Sequence, residues 1–149
     1  MLKDDAIVQY IFRQVAKGYD HLRKHGIMHR DLKPDNILIH FPNRENELLV
    51  TLDHPADIIK RKAVIKIADF GLSYVARSER EFILQPEGTR LFWPPEFFKK
   101  QIYDVEAEMW AFGAIMFELK TGVNAFYSTQ ERELKRRLSL GLFWVDKEC

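Results

Sequence analysis

The stretch from Val105 to Leu119 constrains the fold more than any other part of this 149-residue chain. Met109, Trp110, Phe112, Ile115, Met116 and Leu119 spread apolar side chains nearly all the way around a helix of that length. A helix that is apolar on almost every side predicts deep burial. Thr121-Gly122 supplies its stop. A second helix is expected near the start of the chain, where Val8, Ile11, Phe12, Val15, Tyr19 and Leu22 recur at three- and four-residue spacing and line one face. Asp4 or Asp5 can cap it, and Gly26 sits where such a helix commonly ends. A third, amphipathic segment near Gln130 to Leu140 carries Glu131, Glu133, Lys135, Arg136 and Arg137 on a solvated face.

Two short strands fall between the first two helices, Ile37-Leu38-Ile39-His40-Phe41 and Ala63-Val64-Ile65-Lys66-Ile67. The polar stretch joining them, Pro42 to Lys62, is longer than most hairpin loops and reads as a surface insertion, 42–62, with some local structure. From Gly71 to Glu96 no period is visible, which predicts a long loop. The expected fold is therefore mainly α with a small β-hairpin, in a single unit spanning 1–149.

With 46% hydrophobic and 30% charged residues, the chain can bury a core of its own. A net charge of +1 gives no electrostatic reason to propose a nucleic acid or a membrane surface as partner. No apolar run is long enough to span a bilayer, and the N-terminus lacks the order of a secretion signal. The lone Cys149 cannot form an internal disulfide. A cytoplasmic or nuclear location is expected.

Two clusters stand out from this background: His29-Arg30-Asp31-Leu32-Lys33-Pro34-Asp35-Asn36, between the first helix and the first strand, and Asp69-Phe70-Gly71, just after the second strand. Asp31 can accept a proton from an attacking hydroxyl, and Lys33 is a point charge suited to a phosphate oxygen. Asn36 and Asp69 offer an amide oxygen and a carboxylate of the kind a hard Mg²⁺ ion accepts, and pairing of the two strands would bring them together. A base, a cation and two oxygen ligands suit phosphoryl transfer, a reaction that needs positioning and charge neutralisation above all. Any one of these residues alone would be an ordinary turn residue; the combination in this order is what carries weight.

The first cluster resembles the catalytic loop of protein kinases, and Asp69-Phe70-Gly71 resembles their magnesium motif. Gly88-Thr89 with Trp93-Pro94-Pro95-Glu96 is similar to the end of their activation segment. Glu108-Met109-Trp110-Ala111-Phe112-Gly113 is similar to the start of the large helix that follows. The resemblance runs from Leu2 to about Trp144 and, through Lys33-Pro34, to the serine/threonine branch. It implies Asp31 as catalytic base, Lys33 at the transferring phosphate, Asn36 and Asp69 as metal ligands, and ATP with Mg²⁺ as cofactors. It also implies Leu38 beneath the adenine ring, although an ordinary strand residue would be buried in the same way. Arg30, Gly88 and Thr89 would serve substrate binding or regulation, and Leu72 would favour serine in a protein substrate. Asp35 reads as an exposed loop carboxylate.

The sequence departs from that family in several places. The glycine-rich loop, strand lysine and helix glutamate of the nucleotide-binding lobe are not among these residues, nor are the last helices of the larger lobe. Little activity is expected of these 149 residues alone, and a partner supplying the missing lobe is one expectation. Glu96, without its usual arginine, should be exposed or shifted in pKa. Glu108 stands where the family has aspartate, and its extra methylene should displace a carboxylate that braces the catalytic loop. Position 23 is arginine where the family often has histidine, a minor change. No hydroxyl residue lies between Arg80 and Gly88 to carry the phosphate that Arg30 would bind, so Glu81 or Glu87 is expected to supply a permanent negative charge. The leading reading is a Ser/Thr kinase catalytic lobe; the alternatives are a non-catalytic, pseudokinase-like scaffold and a small-molecule phosphotransferase.

Overall fold

The computed structural model describes residues 4–42, 54–78, 81–84, 87–100 and 102–142. The expected first helix is α1, Asp5–Lys24, with Ile7, Val8, Ile11, Val15, Tyr19 and Leu22 buried. Asp4 is its cap: the side-chain oxygen accepts the Ala6 N–H at 2.9 Å, satisfying one of the four N-terminal donors that a helix cannot pair internally. Gly26, at φ 67°, turns the chain out of the helix in a conformation that costs glycine little.

After α1 come β1 (Ile27–Met28), β2 (Ile37–His40), a one-turn helix α2 (Asp57–Lys60), β3 (Val64–Ile67) and β4 (Tyr74–Val75). β2 and β3 form the expected antiparallel hairpin, with Ile37 opposite Ile67 and His40 opposite Val64. The hairpin is fastened to α1 by polar side chains as well as by packing. The Tyr10 hydroxyl and Gln14 Nε2 donate to Ala63 O at 2.9 and 3.2 Å, and Ile65 N–H donates to Gln14 Oε1 at 3.2 Å. Of the expected insertion, 42–62, residues 43–53 lie outside the described set. The remainder holds α2, whose Ile58 is buried in the core.

The segment after Asp69 is more ordered than its lack of period suggests. β4 pairs antiparallel with β1, Met28 opposite Tyr74, and Ile83 forms an isolated antiparallel bridge with Tyr103. A 3-10 turn at Arg90–Phe92 leads into α3, Pro95–Lys100. Glu96, in the first turn of α3, is exposed, one of the two outcomes expected for it.

α4 (Ala107–Thr121) and α5 (Glu131–Leu140) complete the described chain. α4 packs Ala111, Phe112, Ala114 and Ile115 into the main core with α1, and Phe12 meets Phe112 at a ring separation of 4.3 Å. The expectation of burial all round α4 is corrected here. Met109 and Met116 are 54% and 43% exposed, and a Cβ on Gly113 would meet nothing within 4 Å. That stripe is apolar but uncovered among the described residues. No helix among the described residues is long and apolar enough to cross a membrane.

Candidate active site

The loop from His29 to Asn36 joins β1 to β2 and ends in a 3-10 turn, Pro34–Asn36, in which Pro34 occupies the first position, where a missing N–H costs nothing. Asp31 lies at its centre and is largely buried. Its Oδ1 accepts the Thr89 N–H at 2.8 Å and the Thr89 hydroxyl at 2.7 Å. Its Oδ2 pairs with Lys33 Nζ at 2.8 Å and accepts from Asn36 Nδ2 at 3.3 Å. Lys33 also donates to Thr89 Oγ1 at 3.1 Å, and Asn36 Nδ2 to Asp31 O at 2.8 Å. Burial works to raise the Asp31 pKa, but the Lys33 and Thr89 hydrogen bonds together outweigh it, and the carboxyl ends below its ordinary value. Lys33 moves the other way, raised first by its hydrogen bond to Asp31. Asp31 is thus an ionised acceptor at neutral pH.

The backbone under Asp31 is strained. Arg30 adopts φ 68° and Asp69 φ 64°, positions that non-glycine residues rarely take and that surrounding contacts must hold. Three contacts hold Arg30. Its N–H donates to Glu108 Oε1 at 2.6 Å, its Nε donates to Leu72 O, and its guanidinium pairs with Glu87. Glu87 therefore takes the place expected of a fixed negative charge. Glu81 does not: its carboxylate accepts from the Tyr74 hydroxyl at 2.6 Å and from Arg77 N–H. Glu108 reaches the loop in spite of its extra methylene, so the expected displacement does not break the brace.

Asp69 follows Ala68, whose N–H donates to Asn36 O at 2.9 Å, so the β2–β3 pairing sets both proposed metal ligands at one end of the hairpin, as their spacing predicts. His29 ties the two clusters together, a role the sequence reading did not assign to it. Its Nε2 meets Ala68 O at 2.9 Å, its Nδ1 meets the Asp31 N–H at 3.3 Å, and its ring lies 5.0 Å from Phe70. Both contacts are met by the tautomer protonated on Nε2. Tyr103 was also missed, and Trp93 was read only as part of a motif. The Tyr103 hydroxyl donates to Glu108 at 3.5 Å, and Trp93 Nε1 donates to Glu87 O at 3.1 Å. The two contacts span only five and six residues, but they lie in irregular chain where no helix or strand period marks them.

Gly88 sits at φ 91° against the catalytic loop. A Cβ there would be driven into Arg30 O, far inside the 3.0 Å below which real Cβ atoms essentially never come, and to 3.2 Å from Asp31 Oδ1. Only glycine lets the two segments approach this closely. Leu38 is the clear correction. Both readings of it required burial, yet it is 51% exposed on β2, opposite the exposed Lys66, because the hairpin turns its other face toward α1. Asp35 is exposed, as expected.

Residues 1–146 match the family described as "Protein kinase domain". The chain is 35% identical over 141 residues to serine/threonine-protein kinase ATG1c of Arabidopsis thaliana, covering 90% of this chain and 16% of that protein. It is 31% identical over 137 residues to serine/threonine-protein kinase atg1 of Schizosaccharomyces pombe, covering 91% and 16%. Against serine/threonine-protein kinase TIO of Arabidopsis thaliana the identity is 31% over 131 residues, covering 88% and 8%. The chain thus spans 8% to 16% of the length of these relatives. It belongs to the protein kinase family.

Members of that family use ATP and Mg²⁺. The donors present fit a hard cation: Asp69 gives an exposed carboxylate, and Asn36 commits its Nδ2 to Asp31, which leaves its amide oxygen for an ion. Among the described residues no three His, Cys, Asp or Glu side chains converge on a metal site. Mg²⁺ needs no such cage, since it is commonly held through one or two protein oxygens together with phosphate oxygens and water.

Proposed function

We propose that this chain is the catalytic lobe of a serine/threonine protein kinase, transferring the terminal phosphoryl group of ATP to a hydroxyl on a protein. The observation that carries this reading is the surroundings of Asp31: an ionised carboxylate that accepts a hydroxyl hydrogen bond from Thr89 at 2.7 Å with Lys33 at 2.8 Å. A substrate hydroxyl taking the same kind of hydrogen bond is oriented for attack on phosphorus. As the new O–P bond forms and the bond to the leaving ADP breaks, the hydroxyl proton passes to Asp31. Its lowered pKa makes Asp31 a weak base, so it orients the nucleophile and takes the proton late. Lys33 neutralises charge on the transferring group. Asn36 and Asp69 would hold Mg²⁺, which supplies charge neutralisation at the phosphates when bound.

The finer assignments belong to the same proposal. Lys33-Pro34 and Thr89 support Ser/Thr over Tyr, and Leu72 supports serine over threonine. The exposed Leu38, with Ile39 and Phe70 also exposed, is consistent with a site closed by a nucleotide-binding lobe, supplied by further chain or by a partner. Glu108 would favour a non-catalytic scaffold only if it misplaced the catalytic loop, and its contact with Arg30 N speaks against that.

The test is binding of Mg²⁺-ATP by thermal shift, since a ligand bound to the folded state raises Tm. A shift that disappears in Asp69→Asn supports the reading. No shift in the natural-length polypeptide would contradict it.

A further inference from the structure

Glu108 is fully buried, and its two carboxylate oxygens are treated differently. Oε1 accepts the Arg30 N–H at 2.6 Å, and the Tyr103 hydroxyl lies 3.5 Å away. The nearby His29 backbone N–H also favours the ionised form of the carboxylate. Oε2 is buried with no hydrogen-bond partner among the described residues. Buried polar atoms are nearly always paired, so an orphan oxygen calls for a reason. Oε2 is the one atom of this group that can take a proton without surrendering an existing hydrogen bond.

Two demands compete at this carboxyl. An ionised carboxylate is the stronger acceptor for the backbone N–H groups it holds. A neutral acid avoids a charge buried away from water. The ionisable groups facing it come from each packed element: His29 and Arg30 on the catalytic loop, Tyr103 ahead of α4, and Tyr19 on α1. The Arg30 charge also favours the ionised form, but its guanidinium is shared with Glu87. Tyr19 donates to Val105 O at 2.8 Å instead. Burial lifts the Glu108 pKa to about 7, against the pull of the Arg30 and His29 N–H groups and of the Tyr103 hydroxyl. Both tyrosines are held above their ordinary range, by burial first and by the Glu108 charge second, and stay neutral.

We propose that Glu108 is a proton-gated positioning residue: its ionised carboxylate clamps the strained Arg30 peptide, and thereby Asp31, and the clamp slackens when Oε2 takes up a proton. Arg30 at φ 68° needs contacts to hold it, so weakening its acceptor loosens the one loop that carries Asp31, Lys33 and Asn36. The effect on catalysis rests on the phosphoryl-transfer reading; the clamp itself does not.

The experiment is an NMR titration of the full chain from pH 5.5 to 8.5 without nucleotide, following the glutamate side-chain carboxyl carbons and the backbone amides. The Glu108 carboxyl is expected to titrate near pH 7, with the Arg30 amide following at the same midpoint. In Glu108→Gln the Arg30 inflection disappears. If that variant does not fold, Glu108→Asp keeps a titratable group, and the Arg30 inflection moves to the midpoint of the new carboxyl. A Glu108 carboxyl titrating in the ordinary range, or an Arg30 amide with no inflection at its midpoint, overturns the proposal. A parallel phosphoryl-transfer assay should show kcat falling by up to about tenfold from pH 8 to pH 6 in the parent protein, with that limb flattened in Glu108→Gln. Coupled titration without phosphoryl transfer at any pH would sustain the clamp and count against the kinase reading alone.

Discussion

Replacing Gly88 with alanine tests the packing of the activation segment on the catalytic loop. At φ 91° an L-residue bears a conformational cost of about 1–2 kcal/mol. The added methyl group would also collide with Arg30 O, a backbone atom that cannot swing aside as a side-chain end can. Relief requires the two segments to part by roughly an ångström, the scale of misplacement that can cost about 100-fold in rate. Parting them stretches the Thr89 N–H and hydroxyl contacts to Asp31, now 2.8 and 2.7 Å, each worth about 1.5–3 kcal/mol as a hydrogen bond to a charged group. Gly88→Ala should therefore lower stability by about 3 kcal/mol, read by urea denaturation. If the segments separate instead, the Thr89 amide resonance should shift and phosphoryl transfer should collapse. Gly113→Ala is the control. It lies in α4 with open space around its Cβ, and should stabilise by up to about 1 kcal/mol. A Gly88→Ala protein with parental stability and an unmoved Thr89 resonance would refute the reasoning.

Glu108→Gln should change the pH dependence of stability. A carboxyl moved from 4.5 unfolded to about 7 folded favours the fold below pH 4.5 and loses that contribution as pH rises to about 7, a change of about 3 kcal/mol. The variant minus parent difference in unfolding free energy should therefore rise between pH 5 and 8, and a flat difference would show that Glu108 is not perturbed. Glu87→Gln should lower phosphoryl transfer by roughly fivefold, corresponding to about 1 kcal/mol for a partly exposed pair, while Glu81→Gln leaves the Arg30 pairing intact. Equal effects of the two changes would mean that Glu87 is not the fixed charge. Gln14→Ala should loosen the hairpin by about 1–3 kcal/mol, because it strips partners from Ala63 O and Ile65 N–H together, and faster amide exchange at Ile65 would report it.

α1, α4, α5 and the β2–β3 hairpin were legible in the sequence because each is encoded locally, as by the α1 stripe with Asp4 ahead of it and two apolar runs of equal length; the short α2 and α3 were not. The grouping of Asp31, Lys33, Asn36 and Asp69 was legible for the same reason, since one short loop and one hairpin set all four. β1 and β4 were not, because two-residue strands have no period to read and exist only through each other. The exposure of Leu38, Met109 and Met116 was misjudged because apolarity tells which residues seek cover, not whether cover is present. The Glu108 contact was misjudged in the opposite sense: an extra methylene was expected to break a brace that the structure retains. The Tyr103 and Trp93 contacts were not legible because they join residues five and six positions apart in irregular chain, where no period marks a partner.

The most direct test of the central claim is transfer of labelled terminal phosphate from ATP to a serine-containing protein or peptide, comparing the natural-length polypeptide with its Asp31→Asn form. The account predicts measurable transfer by the parent and a loss of at least about 100-fold in the variant, with Mg²⁺-ATP binding retained. Equal transfer by both forms, or none by the parent under conditions where it binds Mg²⁺-ATP, would contradict it.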